Sequence, residues 1–316
     1  MVGCEYEPAP EYKLLKVAEI ALQGDESELI GQVYDLHASL DGDFYLADKV
    51  NHKVWVANQN GEIIGAIGRQ GQGPGELSEP VGIAIVGQTL AIAEQGNKRI
   101  SFFDLGGKYR SSFPIRGGFI SGLKWSPSDS LLIVSRSLGV QHFDIYTFEG
   151  RRVNANMRPK QTAFVIPFHL PGGHMSLTAA GDILFSSLRS YDVVKMSFSG
   201  DTLATYSAKP TGYVPPNVPS REKYMAQTDW SVVGLPLELQ DVVLIQRYRR
   251  QTSDWKPTEW TFLVDVFTES GELLQAGISS PAALKFAKDG LLYAISIEPI
   301  DKGADNPAIL VYSLSR

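Results

Sequence analysis

Short apolar runs alternate with tight, often glycine-containing turns along the chain, and two adjacent segments repeat this pattern in detail. Segment 41–68 contains a turn, an apolar run, an acidic residue, an Asn, a basic residue, a second apolar run, a Gly turn and a third run, and segment 87–113 repeats this order. The matching polar positions are Asp48, Asn51 and Lys53 in the first copy and Glu94, Asn97 and Arg99 in the second. Internal repetition of this kind is typical of propellers, solenoids and other repeat folds.

Two series of turns give the length and the number of the repeats. The later turn of each unit contains Gly61, Gly107, Gly150, Gly200 or Gly271. The earlier turn contains Gly42, Gly87, Ser130, Gly181, Asp241 or Gly290. Both series fit units of about 40–50 residues with four strands each, which is the size of a propeller blade. The sequence therefore predicts an all-β, six-bladed β-propeller with four-stranded blades.

The last repeat lacks one strand, and the beginning of the chain can supply it. Residues 281–316 contain three apolar runs, whereas segment 11–22, EYKLLKVAEIAL, is strand-like and has no partner of its own. A propeller with an open ring exposes sheet edges, which are templates for aggregation. We therefore predict that Tyr12–Leu22 is the outermost strand of the last blade, in a single domain of residues 12–316 that follows a flexible tether of residues 1–11.

The linker between the first two repeats resembles that of a known family. Residues 71–85, GQGPGELSEPVGIAI, are similar to the Gly-rich linker and the following P-x-G-I-A-V strand of NHL-type six-bladed β-propellers. The resemblance is specific for Gln32–Arg116, and beyond this range only the rhythm of strands continues. It implies a rigid disk used for binding, whose function depends on its loops rather than on its fold.

Loop lengths differ between the two ends of the predicted disk. We letter the strands of a blade A to D from the axis to the rim, so that the A–B and C–D turns share one face and the B–C loops and D–A linkers share the other. The long connections all belong to the second face, and they are Gly68–Pro80, Met157–His174, Lys209–Asp229, Arg247–Trp260 and Ile297–Asn306. We expect the binding site on this loop-bearing face, because rigid scaffolds commonly carry their sites on elaborated loops.

The fifth repeat supplies most of the candidate ligand-binding residues. Its predicted B–C loop, RYRRQTSDWKPTEW, combines Arg with Tyr and Trp, a mixture that suits recognition of carboxylates, sugars and other planar polar groups. The candidate residues are Arg247, Tyr248, Arg249, Arg250, Trp255, Trp260, His169, His174, Arg189 and Tyr191. They predict a non-enzymatic propeller that holds a protein, peptide or glycan without a cofactor. The alternative for this loop is a solvated charged hairpin whose aromatic rings cover the side of the blade.

The second hypothesis is a metal-dependent propeller enzyme, a lactonase-like hydrolase or a lyase, with calcium or zinc on the central axis. The predicted innermost strands are VYDLHA, VGIAI, GLKWS, HMSLT, WSVVGLP and AALKFA. They contain Asp35, His37 and His174, but neither the acid–Asn–Asn–Asp set of calcium lactonases nor the three axial His of amidating lyases. Asp48 and Glu94 are expected to satisfy backbone N–H groups in tight loops instead.

The net charge argues against one class of function, and the sequence around Cys4 suggests where in the cell the protein is located. The net charge of −6 and the sequence pI of about 5.5 argue against a nucleic-acid-binding surface, and no apolar run approaches the ~18 residues needed to span a bilayer. The lone cysteine, Cys4, ends the sequence VGC and precedes an acidic, Pro-containing segment, as at the end of a bacterial lipobox. Lipidation of Cys4 would tether an extracytoplasmic protein to a bacterial membrane, in the periplasm or at the outer surface. The alternative is a dispensable thiol on a cytoplasmic protein.

Overall fold

Six antiparallel four-stranded sheets, arranged as the blades of a propeller, make up the described part of the chain. The computed structural model describes residues 11–25, 29–137, 141–157, 174–186, 191–208, 210–215, 229–250, 260–296 and 306–316. The predicted fold class is confirmed.

The blades follow one another along the chain, and each is built from consecutive strands except the last. The first three blades contain β2 (Val33–Ala38), β3 (Phe44–Asp48), β4 (Lys53–Ala57) and β5 (Ile63–Ile67); β6 (Pro80–Val86), β7 (Thr89–Glu94), β8 (Arg99–Asp104) and β9 (Tyr109–Pro114); and β10 (Phe119–Ser126), β11 (Leu131–Ser137), β12 (Gln141–Tyr146) and β13 (Arg152–Met157). The fourth and fifth blades contain β14 (Met175–Leu177), β15 (Ile183–Ser186), β16 (Asp192–Met196) and β17 (Thr202–Ser207); and β18 (Trp230–Leu239), β19 (Val242–Arg250), β20 (Trp260–Thr268) and β21 (Leu273–Ser280). The sixth blade contains β22 (Leu284–Lys288), β23 (Leu291–Ile295), β24 (Ala308–Ser315) and β1 (Lys13–Ala21).

The six predicted innermost strands are confirmed as β2, β6, β10, β14, β18 and β22. Each of them contacts the innermost strands of the two adjacent blades, and β22 contacts β2, so that the ring closes around a central axis. The strands next to them are mostly apolar because both faces of each sheet pack against neighbouring blades, and β3 is buried at every position. This arrangement brings residues from distant parts of the sequence together at the axis.

Apolar clusters between adjacent blades fix the innermost strands relative to one another. Between the sixth and first blades, for example, Leu36, Leu46 and Trp55 pack with Phe286 and Ile309. Burial of each such side chain contributes roughly 1.5–3 kcal/mol to folding. The axis is therefore lined by strands whose positions are set by rigid packing on both sides.

The predicted closure of the ring by the N-terminal strand is also confirmed. β1 pairs antiparallel with β24, with Lys13 opposite Ser315 and Ala21 opposite Ala308 along the two strands. The segment also reaches both neighbouring blades. Its contacts there are the hydrogen bond from the Tyr12 backbone N–H to Gln275 in the fifth blade and the bridge from Gln23 to Glu62 in the first.

Asp48 and Glu94 stabilise the loops that follow the B strands of the first two blades, as expected from the sequence. Both carboxylates are fully buried. Asp48 accepts hydrogen bonds from the backbone N–H groups of Gly31, Gln32, Val50 and Asn51 and from the side chains of Asn51 and Trp55. Glu94 accepts them from the Ser78 backbone N–H and from the side chains of Asn97, Arg99 and Ser101. The corresponding carboxylates thus have the same structural role in both blades.

Candidate functional site

The fifth blade continues as regular sheet further toward the loop-bearing face than the first blade does. Strands β18, β19 and β20 have 10, 9 and 9 residues, whereas β2, β3 and β4 have 6, 5 and 5. Because the A–B turns lie at the opposite face, the additional residues extend the fifth blade at its loop-bearing end. In this extension Arg250 of β19 is paired with Trp230 of β18 on one side and with Trp260 of β20 on the other.

The predicted start of the fifth B–C loop is wrong, because β19 continues through Arg250. Arg247 is only 3% exposed, and its guanidinium donates hydrogen bonds to Asp265, with Nε–Oδ2 and Nη2–Oδ1 distances of 2.7 and 3.0 Å. The Tyr191 hydroxyl donates to the same carboxylate, and burial together with that negative charge raises the pKa of Tyr191. Arg247 and Tyr191 therefore belong to a buried network between the fourth and fifth blades, with little surface to offer a ligand.

Aromatic side chains of the fifth blade lie beside His174, which immediately precedes the innermost strand of the fourth blade. The Tyr248 ring is 6.3 Å from the His174 ring and 6.1 Å from the Trp260 ring, centroid to centroid. Trp260 in turn packs edge-on against Trp230 at 5.6 Å. Among the described residues, the buried Nε1 of Trp260 has no hydrogen-bond partner. We call Trp230, Tyr248 and Trp260 the aromatic wall.

Arg249 lies at the same end of the blade and is partly exposed, at 29% of its side chain. Its guanidinium donates two hydrogen bonds to Asp229, at 3.1 and 3.0 Å. Five other predicted positions lie outside what the structure describes, namely the side chain of Arg250 and the residues Trp255, His169, Arg189 and Cys4. The structure thus brings Tyr248, Trp260 and His174 together and places Arg249 on the same face.

A second group of polar side chains lies on the central axis, and only part of it could be recognised from the sequence. We call Asp35, His37, Lys124, His174 and Lys285 the axial cluster. Its members come from the first, third, fourth and sixth blades. Lys124 Nζ is 3.6 Å from Asp35 Oδ2 and 3.5 Å from His37 Nε2.

Lys124 and Lys285 are the two members that sequence reasoning missed. Each is the single charged residue in a predicted innermost strand, GLKWS or AALKFA. The signal in the sequence that could have revealed them was a lysine in an otherwise apolar strand next to the axis. Lys285 Nζ donates hydrogen bonds to the carbonyl oxygens of Val33 and Tyr34, at 3.3 and 3.2 Å.

Burial and nearby positive charge disfavour the charged forms of His37, His174 and Lys285. Burial, and next the charge of Lys124, lowers the pKa of His37 to about 4. Burial, and next the charges of Lys285 and Lys124, lowers the pKa of His174 to about 4. Burial is also the main reason why the pKa of Lys285 is lowered. Both histidines are therefore neutral near pH 7, and the lysines are the groups of the cluster that can carry positive charge.

The two axial histidines should make folding sensitive to mild acid. Their ordinary pKa is 6.5, so below pH 6.5 the unfolded chain takes up protons that the folded protein does not bind until about pH 4. The stabilising effect of these neutral histidines is therefore complete above pH 6.5 and is lost as the pH falls toward 4. We expect the melting temperature to drop between pH 7 and pH 5, and to drop less in a His37→Gln, His174→Gln double variant. Equal drops in the two proteins would assign the acid sensitivity to other groups.

Within the described ranges, no three His, Cys, Asp or Glu side chains are grouped closely enough to hold a metal ion. The described residues also include no helix long and apolar enough to cross a membrane.

Comparisons with known proteins agree with this architecture. The DUF5128 family model, described as a six-bladed β-propeller, matches residues 5–115. The chain has the fold of that family. No curated protein matches it in sequence. The fold implied by the NHL resemblance is thus confirmed, although the matching model is of another family.

Several solved structures are similar over almost the whole chain. A DUF4221 family member from Bacteroides vulgatus has a TM-score of 0.71 at 13% identity, covering 97% of this chain and 99% of that one. A predicted exported protein from Bacteroides fragilis has a TM-score of 0.68 at 10% identity, with 96% of both chains covered. Virginiamycin B lyase from Staphylococcus aureus, in an inactive form with quinupristin, has a TM-score of 0.56 at 12% identity, covering 96% and 99%. At such low identities the likeness shows the fold alone.

Proposed function

We propose that this propeller is a non-enzymatic binding protein that holds a protein, peptide or glycan on its loop-bearing face. The observation that carries the proposal is the extended fifth blade, which places the aromatic wall and Arg249 at that face. The Trp260 indole N–H, which is buried without a partner among the described residues, is a donor that a ligand oxygen could satisfy. Aromatic rings beside Arg are typical of the energetic centres of binding interfaces.

The proposed location is the extracytoplasmic side of a bacterial envelope, with Cys4 as the lipidated anchor. It is supported by the lipobox-like VGC sequence at residues 2–4. The NHL-type features of Gln32–Arg116 support a role as a rigid binding disk in the same way. Mass spectrometry of the protein made in a bacterial host behind a lipoprotein signal peptide tests the anchor, since diacylglycerol on Cys4 gives a defined mass increase. An unmodified thiol in that product would rule the anchor out.

Removing the predicted contact residues of the fifth blade should abolish binding without unfolding the protein. The test is to probe arrays of bacterial glycans and of peptides with the wild type and with an Arg249→Ala, Arg250→Ala, Trp255→Ala variant. We expect each wild-type signal to weaken more than about tenfold, because a few Trp and Arg side chains usually dominate an interface. The melting temperature should change little, since Arg249 forms only a partly exposed ion pair.

The matched control changes charged residues on the opposite face. Lys108, Arg110 and Arg151 lie in or next to C–D turns and are exposed. Their replacement by Ala in a single variant removes positive charge without touching the loop-bearing face. Equal binding by the wild type, the fifth-blade variant and the control variant would show that the site is not on the fifth blade. An equal loss of binding in the two variants would show the same.

A further inference from the structure

The axial cluster holds more positive than negative groups, and this imbalance needs an explanation. Its two lysines outnumber its one carboxylate, that of Asp35, while its two histidines, with pKa values of about 4, are neutral near pH 7. Charged groups that are largely removed from water are normally paired with opposite charges, because an unpaired buried charge is costly. Among the described residues, Asp35 is the only acidic side chain that forms an ion pair with any member of the cluster.

Asp35 itself is already engaged with the backbone. Its Oδ1 accepts a hydrogen bond from the Leu36 N–H, and its Oδ2 accepts one from the Ile83 N–H in the next blade, both at 3.1 Å. Its oxygens are 3.6 Å from Lys124 Nζ and 4.0 Å from His37 Nε2, which are ion-pair distances rather than hydrogen bonds. Asp35 therefore offsets part of the positive charge of Lys124 but accepts no hydrogen bond from its ammonium group.

Lys124 retains hydrogen-bonding capacity that the described protein does not use. An ammonium group has three N–H donors, and the one hydrogen-bond partner of Lys124 Nζ in the described structure is His37 Nε2, at 3.5 Å. The side chains of Lys124 and His37 keep 15% and 26% of their surface exposed, so a small solute can reach them.

Two members of the cluster, His174 and Lys285, lie toward the loop-bearing face. His174 precedes the first residue of β14, and Lys285 is the second residue of β22, so both lie near the ends where the innermost strands enter from the D–A linkers. Lys285 Nζ binds the carbonyl oxygens of Val33 and Tyr34, at the corresponding end of β2. His174 also contacts Tyr248 of the aromatic wall. The axial cluster and the aromatic wall are therefore adjacent to one another through His174.

We propose that the axial cluster is an oxyanion-binding site in which Lys124 and Lys285 hold a carboxylate or phosphate group of the ligand. His37 and His174 border the group, and the aromatic wall contacts the part of the ligand that leaves the channel. The inference deepens the proposed binding function, on which it rests, by assigning an acidic group to the ligand. Hydrogen bonds from an ammonium to an oxyanion are among the stronger polar contacts in proteins, and a partly buried site strengthens them further.

The test uses two simple probes, succinate for carboxylates and inorganic phosphate for phosphoryl groups, titrated calorimetrically into the full-length protein. We expect wild-type protein to bind at least one of them, and both Lys124→Met and Lys285→Met to weaken that binding about tenfold or more, the loss typical of one charge-assisted hydrogen bond. Preference for succinate would identify a carboxylate ligand, and preference for phosphate would identify a phosphoryl ligand. Either preference supports the site if the lysine variants lose it.

Lys288→Met is the matched control. Lys288 is in β22 with Lys285, but its Nζ donates to the Ser39 carbonyl at 2.6 Å, in the A–B turn at the opposite end of the strand. Equal weakening in this variant would indicate a general loss of positive charge and would overturn the proposal. Absence of wild-type binding to both probes would overturn it as well.

Folding of the variants can be checked independently. Replacing a crowded, partly buried lysine by Met removes a desolvated charge, so the melting temperature should be retained. The bound probe should raise the melting temperature of the wild type and of Lys288→Met, but not of the two axial variants. If the axial variants bind the probes normally while array binding depends on Arg249, the oxyanion site is wrong and the proposed binding face stands. If array binding is independent of the fifth blade while the probes require Lys124, the proposed binding face is wrong and the oxyanion site stands.

Discussion

Deletion of residues 1–22 is expected to unfold the whole propeller rather than its last blade alone. The deletion removes β1 and leaves β24 as a sheet edge with unpaired backbone groups. It also removes Tyr12, whose backbone exchanges two hydrogen bonds with the Gln275 side chain in the fifth blade. Domains of this kind are stable by only about 5–15 kcal/mol, and the loss of a complete strand that joins neighbouring blades is of comparable size.

The measurement is thermal unfolding followed by circular dichroism, together with size-exclusion chromatography. The deletion variant should aggregate or lack a cooperative transition. A variant that lacks only residues 1–10 keeps β1 and is the control, and it should melt close to the wild-type temperature. A soluble 1–22 deletion variant that melts cooperatively at the wild-type temperature would show that the ring does not depend on its N-terminal strand.

The repeat made the architecture predictable from the sequence. Strands of a propeller blade are short, regularly spaced and apolar on both faces, so the turns at Gly61 and Gly107 and the apolar runs between them define the blades almost without ambiguity. The unpaired run at residues 12–22 could be placed because the last repeat is the one that supplies only three strands of its own. Position in the repeat also explains why Asp48 and Glu94 were correctly assigned to backbone hydrogen bonding.

The site was less predictable, because its residues meet only through the closure of the ring. Lys124 and Lys285 are 161 positions apart and lie in different blades, so nothing local in the sequence indicates that both are near Asp35. Arg247 was assigned to an exposed loop because its neighbours are polar and aromatic. Its buried partner, Asp265, becomes visible only when the register of β19 and β20 is known, with Ile245 opposite Asp265.

Replacement of Asp265 by Ala is expected to destabilise the protein by about 3–5 kcal/mol, the usual cost of leaving one member of a buried ion pair without its partner. Asp265 is fully buried and accepts hydrogen bonds from the Arg247 guanidinium, the Tyr191 hydroxyl and the Gly277 backbone N–H. The substitution removes the acceptor for all of these donors at once. The melting temperature should fall by roughly 10 °C, measured by differential scanning calorimetry.

Asp241→Ala is the control, because Asp241 also pairs with an arginine, Arg316, at 2.7 Å, but on the surface. An exposed pair of this kind contributes about 0–1 kcal/mol, so the control should melt within a few degrees of the wild type. A double variant with Arg247→Met and Asp265→Leu leaves no unpaired charge and should recover part of the stability lost in Asp265→Ala. If Asp265→Ala were as stable as the control, the buried network could not be what fixes the fourth blade against the fifth. If the double variant were no more stable than Asp265→Ala, the loss would come from the Tyr191 and Gly277 donors rather than from the arginine charge.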